Sequence, residues 1–367
     1  MSKTAEVCRQ ICIESGNYYF YTYMKRRIIG IFKVNDSRDG GYYIDLYLEK
    51  VLKLCGMDAE CFVLNRSTVP LSNYNNSFCN YKNPVSAIIH LAAIINRRKI
   101  GIAYTCQFIT LLYLLLLKPF YGFKLIVKVD GLTTRKGLKK YTFFLYDLIY
   151  PYLISMADEV IYETKLPRDK FDRRVRMGRS RVIYTPATNF SGLSLPAIEL
   201  GATIKKEPVI LFVGRYSEEK GYHLIGNIAS QHLDCRFILI GGEKKVYQAH
   251  SNIEEIGLVT PEELLKWYAR SDVLLVPSVS DAFPSVIREY AYFGKPVIAT
   301  EVGSISEFRE LGMIIRLVKP EWKSLSREIS LCTSEYFCCP QNTDVFKRHF
   351  DPDKSDIQKS YTSLFCG

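Results

Sequence analysis

The feature that most constrains this chain is an alternation. Short apolar runs, each followed by a tight loop and a segment with apolar residues at helical spacing, recur through two stretches. In the first, strands are expected at Ile28–Val34, Ala59–Leu64, Ile100–Tyr104, Lys124–Val129 and Glu159–Tyr162. Helices are expected between them at Ile44–Cys55, Pro84–Asn96, Phe108–Leu117 and Thr142–Met156. In the second, strands are expected at Val209–Val213, Phe237–Ile240, Ile253–Leu258, Val273–Val276 and Pro296–Thr300. Its helices are Tyr222–Gln231, Pro261–Ala269 (with Thr260 as the cap) and Pro284–Phe293. Such continuously apolar runs suit strands buried on both faces, and strand–helix–strand order requires parallel pairing. The expected fold class is α/β: two doubly wound domains facing each other across a cleft at the carboxyl ends of their sheets.

Length agrees, because 367 residues exceed one ordinary core and suit two. The boundaries follow from composition. Residues 1–24 fit no later pattern and read as a disordered extension, ahead of the basic run Met24-Lys-Arg-Arg. Residues 25–198 form the first domain. Leu193–Glu207 mixes Pro, Gly, Ala and Lys without periodicity and reads as a linker, with the join at 199–207. Residues 208–340 form the second domain, and 341–367 a tail whose helical stretch Phe346–Phe365 packs back across the boundary. The uncharged stretch Ile100–Leu117 imitates a membrane span, but Gly101, Thr105, Gln107 and Thr110 interrupt it. A buried strand and then a buried helix explain it better.

Composition of 48% hydrophobic and 24% charged residues excludes a disordered chain. The 11 cysteines include no Cys-x-x-Cys pair, which points to free thiols in a reducing compartment. No apolar signal core opens the chain, since Asn17–Tyr23 is polar and aromatic. The expected location is cytoplasmic, peripheral at a membrane surface. A formal net charge of +11 favours anionic partners without choosing among them.

Two segments carry the chemistry. In Phe212-Val-Gly-Arg-Tyr-Ser-Glu-Glu-Lys-Gly221 a strand ends, Gly214 permits close backbone approach, and a helix begins near Gly221. A diphosphate there would meet helix N-terminal amides, with Arg215 as a forked cation and Lys220 as a point charge. Taken alone, the segment reads equally well as a solvated loop. In Pro277–Glu289, Asp281 falls in a loop and Glu289 inside the next helix. A carboxylate there can accept two hydrogen bonds from a ribose diol, and the amides of Phe283, Ser285 and Val286 sit at the helix start. The plain alternative is a capping Asp281 and a solvated Glu289.

Gly214-Arg215, Lys220-Gly221, Pro277-Ser278, Asp281 to Glu289, Gly294-Lys-Pro-Val-Ile-Ala-Thr300 and Gly303 to Glu307 together resemble the C-terminal signature of family 4 retaining glycosyltransferases. The resemblance implies the GT-B fold, two facing Rossmann-like domains, and covers roughly a third of the chain strongly. The N-terminal half agrees more loosely, through Gly40-Gly41 and the Lys128-Val-Asp-Gly131 loop. The implied roles are these. Arg215 and Lys220 hold the donor diphosphate, Glu289 the ribose, and Asp281 the donor sugar. Gly40 and Gly41 allow close backbone approach, and Ser304 and Ile305 offer amides near the nucleotide. Base contacts fall near Gly257–Val259.

The sequence departs from the pattern twice. Asp281 stands where Glu is usual, one methylene shorter. Asp130 stands where the family often has His. A carboxylate accepts hydrogen bonds from sugar hydroxyls or stabilises positive charge, but does not donate at neutral pH. Asp130 reads as a catalytic candidate or as a turn residue before Gly131. The implied reaction is transfer from a nucleotide sugar to a glycan, lipid-linked or other hydroxyl acceptor, with retention and without metal or cofactor. Asp351-Pro-Asp353 matches an acidic metal-using pattern only in letters and is expected to cap the last helix.

Two basic stretches remain, Lys165–Arg181 and Arg135–Lys140. Either they are solvated faces or they meet an anionic membrane surface. The alternative function is a catalytically inactive GT-B-fold protein that binds nucleic acid or membrane. The 26 tyrosines permit stacking on single strands, but no nucleic-acid-binding signature is present.

Overall fold

The computed structural model describes residues 28–35, 42–54, 56–65, 77–80, 83–130, 140–173, 179–191, 193–194, 207–242, 247, 250–334 and 338–365. Seven strands form the first sheet: β1 (Ile28–Asn35), β2 (Asp58–Asn65), β3 (Ser77–Asn80), β4 (Ile102–Thr105), β5 (Lys124–Val129), β6 (Glu159–Tyr162) and β7 (Ser180–Val182). They run parallel in the order β3-β2-β1-β4-β5-β6-β7. Its helices are α1 (Tyr42–Leu54), α2 (Pro84–Arg98), α3 (Phe108–Tyr121), α4 (Lys140–Ser155) and α5 (Lys165–Asp172). On one sheet face α2, α3 and α4 bury Leu91, Leu114 and Ile154 against Phe32, Leu125 and Tyr162. On the other, α1 buries Leu48 and Leu52 against Ile31, Ile126 and Ile161. Among the described residues no helix is long and apolar enough to cross a membrane.

The second sheet repeats the plan with β8 (Val209–Val213), β9 (Arg236–Ile240), β10 (Ile253–Gly257), β11 (Val273–Val276), β12 (Val297–Thr300) and β13 (Arg316–Val318). They are parallel in the order β10-β9-β8-β11-β12-β13. Its helices are α6 (Ile225–Ala229), α7 (Pro261–Arg270), α8 (Ser285–Ala291), α9 (Glu307–Glu310), α10 (Trp322–Ser334) and α11 (Pro340–Val345). Thr260 and Glu263 close a capping box on α7. Both sheets reverse strand order once, at β1/β4 and at β8/β11, where doubly wound folds open a crevice.

Three strands were not expected: β3, β7 and β13. Each lies at a sheet edge. They are three or four residues long and carry Asn or Arg, so they present no apolar run. The expected helix Tyr222–Gln231 is a 3-10 turn, Tyr222–Leu224, followed by α6.

The tail is split. Phe346 and Phe350 pack into the second core, while α12 (Ser355–Thr362) and the residues after it place Ile357, Tyr361, Leu364 and Phe365 in the first. Tyr47 donates to the Pro352 carbonyl at 2.7 Å and fixes the crossing point. Asp351 does not cap α12, as had been expected. Its carboxylate accepts the N–H of Asp353 at 3.0 Å, closing a turn, and the cap position is Lys354.

Candidate functional site

The loops after β8, β11 and β12 meet at the carboxyl ends of the second sheet, and glycines permit it. Gly221 has φ +72°, and a Cβ there would lie 1.8 Å from the Pro277 carbonyl oxygen. Gly303 has φ +56°, and its Cβ would lie 1.9 Å from the Asp281 carbonyl oxygen. Only glycine fits either position. Backbone bonds then join the loops. The amides of Val279 and Ser280 both donate to the Glu219 carbonyl, at 2.8 and 3.1 Å.

This convergence brings Lys220 and Asp281 together, Nζ to carboxylate, at 2.6 Å. Asp281 also accepts from the Ser278 hydroxyl (3.1 Å) and the Ala282 amide (3.0 Å). It is therefore neither a helix cap nor an open sugar contact here. Asp281 fixes the ammonium, and Arg215 beside it stays 59% exposed with Glu219 at 3.3 Å. Tyr216 supports the Arg215 loop. Its ring stacks on Tyr222 at 4.4 Å and 9°, over Gly242, where any Cβ would strike the ring at 2.0 Å. Gly214 donates to the Ile240 carbonyl at 2.9 Å and so ends β8 in register with β9. Gly257 closes β10, its carbonyl accepting from Gly241 at 2.8 Å, and Leu258 is exposed at the rim.

The loop-to-helix segment after β11 differs from expectation in several ways. Glu289 is only 1% exposed, and its carboxylate accepts the Tyr268 hydroxyl at 2.7 Å. It is a buried, covered acid, neither solvated nor open to a diol. Phe283 is buried, stacked on Phe308 at 4.1 Å, with the Arg288 guanidinium over its ring at 5.3 Å. Ser285 is exposed and Val286 half-buried, both in the first turn of α8, where amides lack an i−4 carbonyl. Ser304 and Ile305 do not offer their amides. The Ser304 N–H donates to Ala282 at 2.8 Å and the Ile305 N–H to Val302 at 3.2 Å, because the tight turn at Gly303 folds them back.

The first domain meets this site through β5 and β6. Asp130, just past β5, is 45% exposed and pairs with Lys128 at 2.6 Å, while Lys128 is buried. Burial alone would lower the Lys128 pKa, but the carboxylates of Asp130 and Glu163 overrule it and raise it. At Asp130 desolvation pushes the carboxyl above its ordinary range, against the pull of the Lys128 ammonium. Glu163, just past β6, pairs with Arg288 of α8 at 2.7 Å, both buried. Burial would raise the Glu163 carboxyl, but Lys128 and Arg288 hold it down to about 2. Beside it the hydroxyls of Thr164 and Ser304 share a bond at 2.9 Å. Glu307 accepts the Lys165 and Leu166 amides at 2.9 and 3.0 Å, so the second domain caps α5 of the first.

Lys128, Glu163, Arg288 and the capping role of Glu307 were not anticipated. A lysine inside the apolar run of β5, and Arg288 ahead of Glu289 in an otherwise apolar helix, were the available signals. Gly40, Gly41, Gly131 and the 1–24 extension lie outside the described residues, as does the linker apart from Leu193, Ser194 and Glu207. Of Arg135–Lys140 only the backbone of Lys140 is described. In Lys165–Arg181, Lys165 is spent on Glu310 across the domain junction and Arg168 on Asp169. Among the described residues the three that could share a metal ion, His232, Asp234 and Cys235, sit before β9, at the edge opposite the cleft.

Known proteins agree with this architecture. Residues 200–336 match the family model described as Glycosyl transferases group 1. The gpi3 subunit of phosphatidylinositol N-acetylglucosaminyltransferase from Schizosaccharomyces pombe is 29% identical over 150 residues, 37% of this chain and 33% of that one. The chain spans less than half the length of the curated relatives it matches. Among solved structures, sucrose-phosphate synthase from Thermosynechococcus elongatus superposes with TM-score 0.72 at 17% identity, covering 93% of this chain and 98% of that one. Anabaena Alr3699/HepE in complex with UDP superposes with TM-score 0.71 at 15% identity, covering 92% and 99%. The same protein in complex with UDP-glucose gives TM-score 0.69 at 16% identity, again covering 92% and 99%. The chain has the GT-B fold, and its residues 200–336 are similar to the glycosyl transferases group 1 family.

Proposed function

We propose that the protein transfers a sugar from a nucleotide-sugar donor to a hydroxyl acceptor, glycan or lipid-linked, with retention and without a metal ion. The observation that carries this reading is the Lys220–Asp281 pair where three loops meet at two glycines, Gly221 and Gly303, with Arg215 exposed beside it. A cation held at the sheet's switch point and an exposed guanidinium, paired only with Glu219 of its own loop, match a diphosphate leaving group. The UDP and UDP-glucose complexes of the Anabaena structure support a donor of that kind.

In this account Lys220 turns from Asp281 to the diphosphate, and Arg215 closes from the open side. Asp281 is then released toward the donor sugar, and Glu289 toward the ribose as Tyr268 gives way. The bond from the anomeric carbon to the diphosphate oxygen breaks, and the acceptor oxygen bonds that carbon from the same face. The acceptor proton passes to the departing phosphate, whose charge Arg215 and Lys220 absorb. Asp130, anchored by Lys128, stabilises positive charge on the sugar ring.

The test is incubation with a panel of nucleotide sugars in the presence of EDTA, followed by analysis of donor consumption and anomeric configuration. Hydrolysis or transfer of at least one donor, undiminished by EDTA and with retained configuration, is expected. A panel left untouched refutes the transferase reading, and loss with EDTA refutes the metal-free mechanism.

A further inference from the structure

The outer face of the first domain does not look like a solvated surface. Helix α3 carries one charged residue, Lys118, and α4 carries two, Lys140 and Asp147. A helix apolar all round is ordinarily buried on every side. Here the inner sides fill the first core, while the outer sides stand open. On α3 Ile109, Leu116 and Phe120 form one exposed stripe, and Phe120 is 82% exposed. On α4 Leu148, Ile149 and Tyr152 are exposed along its second half, with Met156 just past its end. On α2 Val85 and Ile89 continue the pattern one turn apart. The Phe108 ring packs against Tyr150 at 5.7 Å on the inner side, so α3 and α4 are neighbours.

Charge indicates what covers this face. At the carboxyl ends of the same helices lie Arg97, Arg98 and Lys99 of α2 and Lys118 of α3. Lys118, Lys124 and Arg179 line one cavity of about 810 Å³ beside Met156, with Asp158 as its acid. Lys118 pairs with Asp158 at 2.8 Å, Lys124 with Glu159 at 3.4 Å and Arg98 with Glu60 at 3.5 Å, and Arg97, Lys99 and Arg179 leave the rim with excess positive charge. Apolar side chains, tyrosines at the boundary and a basic rim match the layers of an anionic bilayer surface.

We propose that the outer face of α2, α3 and α4 docks on an anionic lipid bilayer. The helices lie in the interface plane, their stripes in the acyl boundary and the rim cations at the headgroups. Docking rests on this face; of the basic stretches Lys165–Arg181 and Arg135–Lys140, only Arg179 takes part, at the rim. Each helix starts at the cleft end of the sheet, so the bilayer runs up to the cleft mouth beside Val85 and Ile109. The further consequence, that the acceptor is lipid-linked, rests on the transferase reading; the docking does not.

The experiment is flotation of the full chain with phosphatidylcholine vesicles containing about one third phosphatidylglycerol, compared with neutral vesicles. The wild type is expected to float with the anionic vesicles. L116S/F120S/Y152S, all at exposed positions, is expected to lose at least about tenfold in partitioning with an unchanged melting temperature. High salt should weaken wild-type binding without abolishing it, since part of the attraction is apolar. Wild type that does not float, or a triple variant that floats equally well, overturns the proposal. So does a wild-type dimer that the triple variant dissociates, because a second copy would then own the face. Calorimetry with UDP, GDP and ADP on the same samples separates the two readings. Floating protein that binds no nucleotide leaves docking intact and contradicts the transferase.

Discussion

Single residues decide whether the three loops can meet. Gly221 and Gly303 each occupy a left-handed backbone position with a carbonyl oxygen in the place of a Cβ. Gly221→Ala should therefore cost at least about 2 kcal/mol, through strain and through parting the loops. Thermal melting checks this, and a variant as stable as wild type would show that Pro277 yields cheaply. Gly214 should be more forgiving sterically, since its Cβ would meet nothing closer than Phe212 at 3.4 Å. Much of this was legible in sequence: glycines, cations and acids were named in the right segments. Who pairs with whom was not legible. Asp281 bonds Lys220, which is sixty-one residues away in sequence, and Glu289 bonds Tyr268 of the preceding helix. Such pairings depend on where loops cross, and spacing along a chain does not encode that.

Elements were legible in proportion to their apolar content. Central strands such as β5 and β11 read directly, while the edge strands β3, β7 and β13 did not, being short and polar. Helix α5 was seen only as a run of basic residues. What begins it is borrowed: Thr164 at its cap position makes no side-chain cap, and Glu307 of the other domain accepts its first amides. Glu307→Ala should then strip two charge-assisted bonds, with the Tyr184 hydroxyl as a third loss at 3.2 Å. The expected cost is about 3 kcal/mol. Hydrogen exchange should report it as faster exchange within Lys165–Asp172, while the core strands β8 and β11 keep their protection. Unchanged exchange in α5 would mean the helix is capped some other way.

At the scale of the whole molecule, the domains are held by a buried charge pair and by the tail that enters both cores. Glu163 and Arg288 are each almost wholly inaccessible and face each other across the junction. Glu163→Gln leaves Arg288 buried and unpaired and should destabilise by about 3–5 kcal/mol, whereas replacing both partners with apolar residues should recover part of the loss. The pH dependence follows from the depressed carboxyl. Glu163 is held down to about 2, below the ordinary carboxylate range, so its contribution is complete above about pH 4.5 and is lost as pH falls through about 2. Melting temperature against pH should show this acid limb in wild type and a shallower one in Glu163→Gln. Parallel limbs would contradict the assignment.

The central claim, that the loops after β8, β11 and β12 grip a donor diphosphate, is tested most directly by isothermal calorimetry with UDP, GDP and ADP on wild type and on Lys220→Ala. At least one nucleotide should bind the wild type, and the variant should bind it at least about tenfold more weakly, the loss of one charge-assisted contact. Equal affinity in the two proteins, or no binding by either, would contradict the account.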